Sequence, residues 1–197
     1  MFDLGQFVTE CRMAASRQGP ASVLEIMRQV VADPEAIKSA VSALSPSASI
    51  ADAILHRAED VLVFNATLPP LMTSPPHDHT MWAVIGIYEG QEDNVFFERR
   101  EGTLREKNRR SLRAGEAIVL GPEVIHAVSN PLSTHTLGLH VYGGDLFAAQ
   151  RTMWHPHTLE ELPYDTPQFF KWVAEMTKSP PPTTRSKLIL PAGGSGP

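Results

Sequence analysis

The chain has 197 residues, 42% of them hydrophobic and 20% charged, with a formal net charge of −5. That is the balance of an ordinary globular domain, long enough to bury roughly two thirds or more of its unfolded surface without staples. The acidic balance excludes the basic footprint that nucleic acid or an anionic membrane surface requires, and no stretch approaches the roughly 20 apolar residues of a membrane span.

In chain order, residues 3–17 and 21–45 read as helices. In the second, Val23, Leu24, Ile26, Met27, Val30 and Val31 recur at helical spacing, and Ser22 with Glu25 fits a capping box. Asp33-Pro34 is a break point, with Ala36 to Leu44 as a further helix. Cys11 is the single cysteine, so no intrachain disulfide forms. With no apolar run of signal-peptide type near the start, a cytoplasmic location is expected.

From about residue 51 the pattern changes to short apolar or alternating runs, cut every 8–12 residues by Gly, Pro or Asn. Val61–Leu68, Met81–Tyr88, Val95–Arg99, Ala117–Leu120, His126–Ser129 and Thr136–Tyr142 are the predicted strands, the signature of a sandwich or barrel. The basic cluster Arg99 to Arg113 is interleaved with Glu98, Glu101 and Glu106 and reads as a solvated hairpin rim. The expected division is a helical segment 1–50, a β-barrel 51–150, a helical or irregular segment 151–178 and a flexible tail 179–197. In the tail, Leu188-Ile-Leu190 could form an extended apolar grip.

Two of the eight histidines stand in Pro75-Pro-His77-Asp-His79. In a strand, residues i and i+2 share a face, so both imidazoles can aim at one point. Alone, the pair is weak evidence for a metal, since it also reads as two surface histidines in a Pro-rich loop. The second segment, Gly115-Glu-Ala-Ile-Val-Leu-Gly121-Pro-Glu-Val-Ile-His126, places a third histidine after an apolar strand and a tight turn, where a hairpin brings it across from the first pair.

These segments resemble the two motifs of the cupins: His77, His79 and Gly90 match the first, and Gly115, His126 and Asn130 the second. The usual turn is shuffled to Gly121-Pro122-Glu123, and Thr80 to Val84 lack the first motif's carboxylate ligand. The resemblance implies a mainly β, double-stranded β-helix (jelly-roll) barrel with N-terminal helices packed on it, and a site of three histidines only. His77-Asp-His-Thr-Met-Trp82 and the strand Gly138-Leu-His140-Val-Tyr142 further resemble the thiol dioxygenases, the family of cysteine dioxygenase and 3-mercaptopropionate dioxygenase.

That resemblance covers about residues 50 to 155. It implies Fe(II) on His77, His79 and His126, a His140–Tyr142 catalytic pair lacking the family's Ser at Gly138, and Arg151 as the anchor for a substrate carboxylate. The implied activity is oxidation of the sulfur of a small thiol carboxylate by O2. An octahedral metal with three imidazoles keeps about three positions open, which suits Fe(II), while Zn or another divalent metal would suit an activated water. Trp82 could wall the cavity or sit in the core; Arg151 could equally open a helix on the surface. Two further functions stay open, a three-histidine dioxygenase cleaving another chelator such as a β-diketone, and a non-catalytic cupin that binds metal and ligand. The partners expected are a small-molecule substrate and O2, in a monomer or homodimer.

Overall fold

Asp3 opens the first helix, α1 (Leu4–Gln18), by accepting the Gln6 N–H on its carboxylate at 2.7 Å. Gly19, at φ 77°, turns the chain directly into α2 (Pro20–Val31), with proline in the first turn where its missing N–H costs nothing. The expected capping box is therefore corrected: the N-cap is Gly19, three residues earlier, and the Ser22 hydroxyl bonds Gln18 instead. Asp33 caps α3 (Pro34–Ser42) through Ala36 N–H, so Asp33-Pro34 is the break the sequence suggests. In this computed structural model, residues 2–42 and 53–178 are described; the tail 179–197, with its apolar grip, lies outside them.

The described residues then form β1 (Ile54–Arg57), β2 (Leu62–Leu68), β3 (His77–Asp78), β4 (Ala83–Glu89), β5 (Gln91–Arg100), β6 (Thr103–Arg113), β7 (Ala117–Leu120), β8 (Ile125–Ser129), β9 (Thr136–Tyr142), β10 (Thr152–Trp154) and β11 (Glu161–Pro163). A final helix, α4 (Thr166–Lys178), follows. The strands lie in two antiparallel sheets, ordered β1-β2-β9-β4-β7 and β11-β10-β3-β8-β5-β6. From β3 to β9 the chain passes from one sheet to the other at every step except the β5–β6 hairpin. This alternation is the double-stranded β-helix, with the N-terminal helices packed on one of its sheets.

Strand parity sorts the core into two layers. On the five-stranded sheet, Val63, Val84, Leu139 and Val141 face outward and pack with Val23, Met27 and Val31 of α2. Leu62, Ala83, Ile85 and Tyr142 face inward. The helix sits so close that a Cβ at Gly86 would fall 2.5 Å from the Met27 side chain. Only glycine lets β4 and α2 approach this far. The segment 151–178 is not simply helical or irregular: β10 and β11 add two short strands to the six-stranded sheet before α4 begins.

Candidate metal centre

β3 and β8 pair antiparallel with His77 directly opposite His126, so the two imidazoles stand side by side on the inner face. His79 follows just past the end of β3. Ligand nitrogens of His77, His79 and His126 lie within 4.8 Å of one another, and all three residues are buried. His79 Nε2 and His126 Nε2 approach to 3.3 Å. Two lone pairs at that distance repel unless a proton or a cation lies between them.

The outer nitrogens are already engaged. His77 Nδ1 is 3.1 Å from the Pro75 carbonyl, and His126 Nδ1 is 2.7 Å from Asn94 Oδ1. Each is an N–H donating to an oxygen, which leaves the Nε2 lone pair free to bind, the arrangement that metal-ligating histidines share. Burial holds the His77 pKa down to about 4 and those of His79 and His126 well below normal, the neighbouring imidazoles adding to the effect at the latter two. Three neutral imidazoles therefore converge, and this donor set fits a divalent transition metal. Among the described residues no carboxylate joins the cluster.

The Tyr142 ring meets His79 edge to face at 5.1 Å, and its hydroxyl lies 3.1 Å from His140 Nδ1. Gly138, His140 and Tyr142 share the inner face of β9, so strand parity brings this pair beside the three histidines. Arg151 precedes β10. Its guanidinium lies 3.6 Å over the Tyr164 ring, and its charge helps depress the pKa values of His77 and His79. Among the described residues Arg151 Nε is buried without a hydrogen-bond partner, so part of the guanidinium is left to bind something else. Arg151 is half-buried and precedes a strand, so it does not open a helix.

Trp82 is corrected. It packs with the cluster of Val84 and Val141 on the helix side of the sheet, against Gly143, and does not line the interior beside Tyr142. Arg57 on β1 forks onto Asp145 at 2.9–3.1 Å near the surface.

Three residues of the centre give no signal of their own in the sequence. Asp78, between the two histidines, accepts the Thr152 N–H at 2.8 Å and so fixes the strand that follows Arg151. Asn94 and Glu92 face inward from β5, and Asn94 Nδ2 donates to Glu92 Oε1 at 2.8 Å. Read in phase with the apolar Phe96, which stacks on His126, Glu92 and Asn94 fall on the inner face.

No protein-family model matches the chain. An oxalate oxidase in complex with the substrate analogue glycolate is similar in structure at 20% identity over 43% of this chain, with a TM-score of 0.37; the match spans 42% of that chain. An uncharacterized conserved protein with a double-stranded β-helix domain from Klebsiella pneumoniae aligns at 14% identity over 57% of this chain and 87% of its own, TM-score 0.45. A cupin superfamily protein from Desulfitobacterium hafniense aligns at 12% over 47% and 74%, TM-score 0.39. The chain thus spans less than half the length of the oxalate oxidase it matches.

Proposed function

We propose that the chain is a mononuclear non-haem iron dioxygenase that oxidises the sulfur of a small thiol carboxylate, of 3-mercaptopropionate or cysteine type, with O2. The observation that carries this reading is a neutral three-imidazole cluster with the half-buried guanidinium of Arg151 near enough for its charge to act on His77 and His79. A β-diketone spends its one negative charge on the metal as a chelating enolate, whereas a thiol carboxylate has a carboxylate that a separate cation can hold.

Held by His77, His79 and His126, Fe(II) would supply open positions for a substrate donor atom and O2 side by side, while the four electrons that reduce O2 come from the sulfur. Both oxygen atoms go to sulfur, so RSH and O2 become RSO2H with no external reductant. The protein's own part is positioning. Arg151 grips the carboxylate by charge-assisted hydrogen bonds, and its seat on Tyr164 keeps the fork in one orientation. Tyr142 offers its hydroxyl beside His79, and His140 holds that hydroxyl through Nδ1. Burial keeps bulk water from competing for the site.

Oxygen uptake by iron-loaded protein tests this directly, with 3-mercaptopropionate, cysteine and cysteamine as substrates. Uptake with at least one carboxylate thiol is expected. Arg151→Gln should raise KM for the carboxylate thiols by about 10- to 100-fold, the loss of a charged hydrogen bond of roughly 1.5–3 kcal/mol. Its effect on cysteamine, which has no carboxylate, should be small. Full iron occupancy with no uptake on any thiol would sink the thiol reading and leave another chelating substrate or a binding role.

A further inference from the structure

Glu92 is enclosed completely, and its carboxylate is satisfied at one end only. Oε1 accepts from Asn94, while Oε2 has no hydrogen-bond partner among the described residues. Facing Oε2 across the barrel, 3.8 Å away, is His140 Nε2, equally buried and equally without a partner. The gap is about 1 Å longer than a hydrogen bond, a distance that small side-chain rotations close. On the far side of the same ring, Nδ1 meets the Tyr142 hydroxyl at 3.1 Å. Gly138 leaves this face of the imidazole to Glu92, since a Cβ there would already stand 3.3 Å from Nε2.

We infer that Glu92 is a positioning residue: it shares a proton with His140 and so decides whether Tyr142 turns its O–H or its lone pairs toward the three histidines. A neutral imidazole carries one N–H, so its two nitrogens hold opposite roles. When Glu92 is a carboxylate, His140 Nε2–H donates to it, Nδ1 accepts from Tyr142, and the Tyr142 lone pairs face the metal centre. When Glu92 is protonated it donates to Nε2, the ring proton sits on Nδ1 and donates to the Tyr142 oxygen, and the Tyr142 O–H turns toward the centre. The two arrangements differ by one proton, carried on Glu92.

Both states lie within reach near neutrality. Burial pushes Glu92 up to about 7, partly opposed by the Asn94 bond and aided by Asp93 on its own strand; His140 and Tyr142 face it from β9. Burial also holds His140 down to about 4, so the ring stays neutral while its tautomer changes. What the switch means for turnover rests on the proposed function. The proton arrangement itself does not.

The test reads the ring nitrogens of His140 by 15N NMR in the metal-free full chain, assigned by the signals lost in His140→Gln. Wild type should carry the proton on Nε2 at about pH 9 and on Nδ1 at about pH 5.5. In Glu92→Gln the amide oxygen still accepts from Asn94 and the amide N–H donates to Nε2, which locks the Nδ1–H tautomer at both pH values. An unchanging wild-type tautomer, or a Glu92→Gln chain that follows wild type, overturns the inference. If Glu92→Gln fails to fold, the wild-type pair of spectra decides alone. No readout uses metal or turnover, so failure here leaves the iron dioxygenase reading standing, and the reverse holds as well.

Discussion

The two sheets close one barrel by different means. The five-stranded sheet is apolar on both faces of its centre: along β4, Val84 turns to the helices and Ala83, Ile85 and Ile87 to the interior. The six-stranded sheet gives the same interior His77, His126, Glu92 and Asn94, all buried. Apolar positions ask only for volume and shape, and their loss is measured in cavity. Buried polar positions ask for a named partner, and each one left unpaired costs about 1–3 kcal/mol. The His–Tyr pair on β9 is where the apolar sheet contributes chemistry to the polar one.

The sharpest break of this contrast is His126→Ala. It removes a ligand nitrogen, leaves Asn94 Oδ1 without its donor, and should cut metal affinity by more than about 100-fold, beyond what loss of an outer partner costs. Metal content per chain after dialysis measures it; near-stoichiometric retention would rule out His126 as a ligand. Met27→Ala does the converse on the helix-covered sheet. Met27 is fully buried against Gly86, and its truncation should cost about 2–5 kcal/mol in denaturant unfolding while leaving metal stoichiometry of the folded protein unchanged. If Met27→Ala emptied the metal site at constant fold, the two sheets would not be separable in this way.

Legibility follows the same division. β7 and β9 begin and end where hydropathy alternation puts them, because an apolar face buried against a core leaves a period in the sequence. The histidines were legible too, since a strand places i and i+2 on one face whatever the fold. Glu92 and Asn94 were not. They stand in Gln91-Glu-Asp-Asn94, where every residue is polar, so inner and outer positions look alike and the strand reads as starting only at Val95. What buries them is closure of the barrel, a property of the opposite sheet. Trp82 is open in the sequence for the reverse reason: residue type allows a cavity wall or a core position, and its parity with Val84 puts it on the helix side. Arg151 depended on long-range pairing, since Asp78, 74 positions away from Thr152, fixes the strand that follows it.

The smallest effect is also the most specific to the polar half, and it concerns stability against pH in metal-free protein. Glu92 has a folded pKa of about 7, above the ordinary 4.5. Folding therefore favours its protonated form. Its contribution is fully present below about 4.5 and is lost as pH rises through about 7. Glu92→Gln is neutral at every pH and keeps an acceptor for Asn94, so it removes only that loss. The variant should be more stable than wild type at about pH 8, by roughly 1–2 kcal/mol once relaxation around the charge is allowed for, with the difference vanishing toward pH 4.5. His140 runs the other way, its depressed pKa of about 4 making acid destabilising between 6.5 and 4. The two opposed slopes partly cancel in wild type. In Glu92→Gln only the histidine slope remains, so urea unfolding of the variant should show the steeper fall on acidification. A variant no more stable than wild type at pH 8 would mean that ionised Glu92 is already well solvated, or that its bond from His140 offsets the whole cost of burying the charge, and the polar half of the barrel would then be less strained than its buried oxygen suggests.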